Sequence, residues 1–165
     1  MYRLENLCPN ACENFLRLCE GYRQESGKVL KYQNCPVHRL VTDGWFQTGD
    51  VIDGSGKNSA AVIDPSGQFP DESYSADFGF PRGGMFGYAN EGAHTNRSQF
   101  FVTLGNSSWM NNKFVGFARV IQGFKVLKKI NNIPTSNQCP TRVVRIGTCG
   151  RPAELLPPAT VGGSS

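Results

Sequence analysis

Two stretches of the chain concentrate side chains that can do chemistry. The first is His38-Arg39-Leu40-Val41-Thr42-Asp43-Gly44-Trp45-Phe46-Gln47-Thr48-Gly49-Asp50. The second runs from Tyr88-Ala89-Asn90-Glu91-Gly92 through Thr95-Asn96-Arg97-Ser98-Gln99-Phe100-Phe101-Val102-Thr103. Strand alternation predicts Gln99, Phe101 and Thr103 on one face, with Ser98, Phe100, Val102 and Leu104 on the other. The second set reads as core. The first places an amide beside an aromatic ring on an outer face, which is how a peptide-binding groove is made.

Other chemistries find little support. Gly54-Ser55-Gly56-Lys57-Asn58 is not a phosphate loop, because Val51 stands where the first glycine belongs and Asn58 follows the lysine. There is no Gly-x-Ser-x-Gly elbow. His38 and His94 are far apart, and Asp71-Glu72, being adjacent, point apart on a strand. Cys8, Cys12, Cys35 and His38 could be imagined around zinc, but neither half has Cys-x-x-Cys spacing. The expectation is free thiols, no metal and no cofactor.

The elements that must position these residues are short. Pro9 opens a helix whose apolar stripe is Ala11, Cys12, Phe15, Leu16 and Cys19, with Gly21 as its stop. Strand-like runs follow at Asn34–Val41, Trp45–Ile52, Met85–Asn90, Ser98–Leu104, Phe114–Ile121 and Arg142–Cys149. A second helix fits Gly123–Asn132, with Phe124, Leu127 and Ile130 facing in. The 165 residues suit one domain, and 19 glycines and 10 prolines exclude a helical bundle. A net charge of +4 from scattered basic residues does not call for nucleic acid. No apolar run approaches a membrane span or a signal peptide, so the expectation is a cytoplasmic chain, and the sequons at Asn96 and Asn106 carry little weight.

Several ordered motifs resemble the cyclophilin peptidyl-prolyl isomerases. The carriers are Val37-His38-Arg39 with Gln47-Thr48-Gly49-Asp50, then Tyr88-Ala89-Asn90 with Asn96-Arg97-Ser98-Gln99-Phe100-Phe101. Trp109-Met110-Asn111 with Gly116-Phe117-Ala118, Pro9-Asn10-Ala11-Cys12-Glu13-Asn14-Phe15 and Ile146-Gly147-Thr148-Cys149-Gly150 add to them. The resemblance implies a mostly β fold, an antiparallel barrel capped by two helices, over residues 1–150. Residues 151–165 would be a flexible Pro/Gly/Ser-rich tail. It implies catalysis of Xaa-Pro isomerisation by Arg39, Gln47, Asn90 and Gln99, with Gln99 helping to hold Arg39. Substrate would meet His38, Trp45, Ala89, Phe101, Trp109, Met110 and Phe114, and Trp109 matches the tryptophan that cyclosporin-type ligands contact.

The sequence also departs from that family. Gly44-Trp45 replaces Phe-Met at the floor of the proline pocket, so that either Trp45 swings into the space or the pocket is reshaped. Phe114 replaces a rim histidine, Glu91 a small residue, and Thr48 and Arg97 glycines. Gly-Trp is similar to the divergent isomerase-like 6 type and to cyclophilins of ciliary radial spokes in the axoneme. The stretch that forms the family's first strand is missing before Met1, which predicts an open edge on the barrel or a protein partner covering it. The expectation is an isomerase of weakened activity on proline-containing peptides. The alternative is an impaired scaffold or peptide-binding subunit of a larger assembly such as a radial spoke.

Overall fold

The computed structural model describes residues 2–3, 6–74 and 79–151. In chain order the elements are β1 (Tyr2–Arg3), α1 (Pro9–Glu20), β2 (Tyr22–Arg23), β3 (Val29–Leu30), β4 (Arg39–Val41) and β5 (Trp45–Thr48). They continue with β6 (Met85–Tyr88), β7 (Phe100–Thr103), a 3-10 turn at Ser108–Met110, β8 (Gly116–Arg119), α2 (Phe124–Asn131), β9 (Thr135–Ser136) and β10 (Cys139–Pro140). Six strands form one sheet in the order β1-β8-β6-β7-β5-β4, every neighbour antiparallel. Its ends are β1 and β4, and no pairing between these edges is formed among the described residues. At the β4 edge, Leu40 donates its N–H to the Gln138 carbonyl next to β10.

The aromatic core lies between α1 and this sheet. The apolar stripe of α1 buries Ala11, Cys12, Phe15, Leu16 and Leu18. Phe15 meets Tyr32, Phe100 and Phe117 with ring centroids 5.1–5.3 Å apart. Burying a side chain of this size stabilises the fold by about 1.5–3 kcal/mol. Cys8 gives the helix no side-chain cap. Instead the Glu72 carboxylate, from a distant loop, accepts the N–H groups of Asn10 and Ala11 at 2.8 Å each, where the helix dipole favours negative charge.

A second tie runs through Asn14, which is fully buried. Its Oδ1 accepts the Val62 N–H at 2.8 Å, and its Nδ2 donates to the Arg97 carbonyl at 3.0 Å. The Tyr32 hydroxyl donates to the Ser98 carbonyl at 2.7 Å. Helix, loop and the start of β7 are thereby fixed together.

The loop after β5 is organised by the buried Asp50 carboxylate. It accepts the N–H groups of Ile52, Asp53, Gly56 and Asn58 at 2.8–3.2 Å. These bonds end the expected Trp45–Ile52 strand early, because the backbone donors turn inward to the carboxylate. Gly56, at φ +82°, lies flat on the His38 ring and has no room for a Cβ. Both His38 ring nitrogens are buried without a well-formed hydrogen-bond partner. Burial lowers the His38 pKa, against smaller opposing contributions from Asp50 and the Gln99 amide.

Two expectations are corrected here. Arg142–Cys149 is not a strand: it makes an isolated bridge at Pro36 and Arg145, with Asn34, Val37 and Ile146 supplying the N–H donors around it. In α2, Leu127 and Ile130 pack half-buried against the core, but Phe124 is 53% exposed at the first turn of a helix that buries no residue fully. Residues 152–165 of the tail lie outside the described residues.

Asn14→Ala would leave the buried Val62 N–H unpaired. It should cost about 3 kcal/mol, read as a lower urea midpoint at unchanged slope. For His38, stability is full above the ordinary histidine pKa of about 6.5. It should fall as the pH drops below that value, since only the unfolded chain takes up the proton, and level off below the folded-state pKa. Urea melts from pH 7.5 to 5 should show this slope, and His38→Asn should flatten it.

Candidate active site

The β4–β5 hairpin turns at Asp43 (φ 59°), where Asp43 and Asn131 exchange two hydrogen bonds of 2.7 and 2.8 Å. Its register sets Arg39 opposite Gln47, and the next pairing sets Gln47 opposite Phe101 of β7. Residues directly opposite share a face. One row across three strands therefore carries a cation, an amide and an aromatic ring.

Phe101 does not lie on an outer face as alternation alone suggests. It is buried in a second, smaller apolar cluster with Phe80, Met85 and Met110, against which Trp45, Ala89 and Phe114 pack half-buried. Its ring centroid is 5.2 Å from that of Phe80 and 5.4 Å from that of Phe114. Both faces of β7 are covered, so Thr103 is buried too, donating from its hydroxyl to the Arg82 carbonyl at 2.7 Å. Gly87, opposite Phe101 in β6, is what admits the ring: a Cβ there would collide with both Phe101 and Phe80. Phe80, Met85 and Gly87 escape the sequence reading, although a lone glycine inside a strand is a signal of close approach.

The Arg39 guanidinium stands at the mouth of this cluster, 5.3 Å from the centre of the Trp45 ring. Its Nε donates to Gln138 Oε1 at 2.7 Å. Gln99 does not hold Arg39, as the family pattern implies. It accepts a bond from Gln47 Nε2 at 2.8 Å and donates its own amide to the Gly56 and Asn58 carbonyls. The nearer partner to Arg39 is Gln138, 99 residues away. Trp45 meets Trp109 edge-on at 5.7 Å, and Trp109 is 55% exposed beneath Lys113. Asn90 is half-buried, its Nδ2 donating to Asn96 Oδ1 at 3.4 Å. Ala89 donates its N–H to the Gln99 carbonyl at 3.0 Å. His38 is held behind this face, under Gly56, rather than at the apolar cluster.

The buried thiols Cys8 and Cys35 are not poised as nucleophiles. Burial pushes the Cys8 thiol up to about 12 and the Cys35 thiol to about 11, so both stay protonated. Cys8 and Cys12 point at carbonyls of β8, while Cys35 points at the Asp50 carbonyl. Among the described residues no three His, Cys, Asp or Glu side chains gather to hold a metal ion. What the geometry offers is an apolar recess, a cation at its mouth and a hydrogen-bonding amide between them. That set can bind and twist a peptide group without breaking a bond.

Comparison with known proteins agrees with this geometry. Residues 4–151 match the family described as cyclophilin type peptidyl-prolyl cis-trans isomerase/CLD. The chain is 38% identical over 149 residues to the human "Probable inactive peptidyl-prolyl cis-trans isomerase-like 6", covering 89% of this chain but 47% of that one. The chain thus spans about half the length of that relative. It is 35% identical to a peptidyl-prolyl cis-trans isomerase of Arabidopsis thaliana, covering 88% of this chain and 72% of that one. A crystal structure of the cyclophilin type isomerase of Cryptosporidium parvum superposes with a TM-score of 0.76 at 29% identity, over 88% of this chain and 85% of that one. The same protein has also been solved in the presence of the dipeptide Ala-Pro. No helix among the described residues is long and apolar enough to cross a membrane. On the family match and the shared fold, the chain belongs to the cyclophilin-type peptidyl-prolyl cis-trans isomerases.

Proposed function

We propose that the chain binds Xaa-Pro peptides and isomerises them with weakened turnover. The observation that carries this reading is the row Arg39–Gln47–Phe101, which puts a cation and an amide beside an apolar recess. The prolyl ring enters the recess lined by Phe101, Met110, Phe114 and Trp45. Gln47, turned toward the groove by its bond to Gln99, takes a neighbouring peptide group, and Asn90 borders the next. Crossing between cis and trans costs about 18–20 kcal/mol because amide conjugation is lost. Arg39 near the prolyl nitrogen favours the pyramidal, unconjugated state, so binding energy goes to the twisted form. An acceleration of about 10⁴–10⁵ needs only about 5.5–7 kcal/mol.

Two features support weakened rather than full activity. Gly44 supplies no side chain to the recess floor, and Trp45 is drawn to Arg39 and Trp109. Arg39 is also tied to Gln138, which favours peptide binding without turnover as the second reading. The same proposal includes closure of the sheet as a barrel, a flexible tail over 151–165 and a cyclosporin-type ligand at Trp109. It further includes a strand-adding protein partner at β1, which has only β8 beside it among the described residues. The proposal also takes in residence in the cytoplasm or the ciliary axoneme.

Exchange NMR on a short Xaa-Pro peptide tests the enzyme reading. The chain should accelerate exchange, and Arg39→Ala should lose about 10²-fold of that effect; equal acceleration by both proteins would reject the role of Arg39. Gly44 has ordinary backbone angles, but a Cβ there stands 3.1 Å from Val41 Cγ1, so Val41 must give by a few tenths of an ångström to admit a side chain. A folded Gly44→Phe variant should raise kcat/KM several-fold if an aromatic floor is what the recess lacks. An unchanged kcat/KM in a folded variant would show that the missing floor is not what limits turnover.

A further inference from the structure

Beside the apolar recess lies a cavity of about 150 Å³. One wall, Gln47, Ala89, Asn90 and Gln99, is shared with the site above. The opposite wall carries charge: Lys57, Arg97 and Glu91. These are the titratable side chains lining it, and together they leave it one positive charge in excess.

The two cations have hydrogen-bonding capacity to spare. Arg97 is about one-third exposed, and its guanidinium lies 3.6 Å from Glu91 Oε2 and 3.4 Å from Gln68 Oε1. A well-formed charge-assisted bond is about 2.7–2.9 Å, so neither contact satisfies it. Glu91, with its side chain 79% exposed, is a loosely held counter-ion. The Lys57 ammonium makes no hydrogen bond or ion pair among the described residues. Two neutral polar groups of the cavity are already engaged. The Gln99 amide donates to two carbonyls, and the Thr95 hydroxyl donates to the Gly92 carbonyl at 2.8 Å. Among the charged groups that remain, positive charge is in excess.

The placement along the groove is set by β7. Gln99 precedes Phe101 by two residues, about 7 Å of extended chain. An extended peptide whose proline sits at Phe101 carries a residue two positions away over the cavity. Resting on the reading of the groove as a prolyl-peptide site, we propose that Arg97 and Lys57 make this cavity selective for an anionic side chain two residues from the substrate proline. Aspartate, glutamate and phosphoserine share that chemistry.

The test is an amide-shift NMR titration of the intact chain with short proline peptides. They carry Glu, phosphoserine, Gln or Lys two residues before the proline in one series and two residues after it in another. In one series the Glu peptide should bind about three- to tenfold tighter than the Gln peptide and tighter still than the Lys peptide. The preference should shrink in about 0.5 M salt. It should vanish in the Lys57→Gln/Arg97→Gln double variant, with binding of the Gln peptide retained. Glu91→Gln, which frees Arg97, should enlarge it. A phosphoserine peptide that binds tighter than the Glu peptide would support the proposal and assign a phosphorylated substrate. Equal affinity for Glu, Gln and Lys peptides in both series, or a preference surviving in the double variant, would overturn the charge selectivity and leave the prolyl groove standing. Failure of every peptide to shift groove residues would overturn the groove reading and the selectivity with it.

Discussion

The site depends on one strand being buried on both faces. β7 sends Phe100 and Val102 into the core under α1, Phe101 into the second cluster, and Thr103 to buried bonds with the Arg82 carbonyl and the Met85 N–H. A strand with one wet face can slip and lose only burial on the other. Here a one-residue slip would exchange two fully packed sets at once, so the pairing with β5 and β6 is fixed from both sides. Gln47 stands opposite Phe101 because of that register. Arg39 follows through the β4–β5 hairpin. The distance between cation and apolar recess is thus a property of backbone pairing rather than of side-chain choice. Such a fixed spacing is what the proposed site needs to hold two planar forms and the twisted form between them in one place.

The polar groups buried around this strand are satisfied mainly by backbone. Asp50 gathers N–H groups from its own loop, Asn14 ties α1 to Val62 and Arg97, and Gln99 spends its amide on the Gly56 and Asn58 carbonyls. Each of these bonds holds a loop that borders the groove. The cost of burying an amide or carboxylate is offset only while all of its partners remain. The groove loops are therefore coupled to the core rather than grafted onto it. His38 departs from this pattern, with two buried nitrogens and no well-formed partner. Its neutral form is the one burial selects, so it contributes shape under Gly56 and no charge to the face.

The parts of this arrangement visible in the sequence are those set by neighbours along the chain. Pro9 and Gly21 bracket α1, and Thr42-Asp43-Gly44 marks the hairpin turn. The motif residues Arg39, Gln47, Gln99 and Phe101 do come together. Alternation placed Phe101 on an open face because it sees two sides of a strand and not what covers them; Phe80, Met85 and Met110 arrive from separate segments to form that cover. The Arg142–Cys149 segment has strand-like residues, yet the long-range bridge it makes is isolated. Gln138 is invisible for the same reason. Nothing in a polar residue next to a short hairpin foretells that it will bond a guanidinium 99 positions earlier.

The tie between Gln138 and Arg39 bears on the proposal that this chain keeps a prolyl site of weakened turnover. In the proposed mechanism Arg39 has to deliver positive charge to the prolyl nitrogen in the twisted state. In this chain its guanidinium already donates to Gln138 and stacks on Trp45. Both contacts exist before substrate arrives, so any that must loosen as the amide twists subtracts from the differential stabilisation that lowers a barrier. Trp45 is held between the Arg39 guanidinium on one side and the edge of Trp109 on the other. In the proposed reading, these two contacts of Arg39 leave the recess able to hold a proline while reducing what is gained as the bond turns.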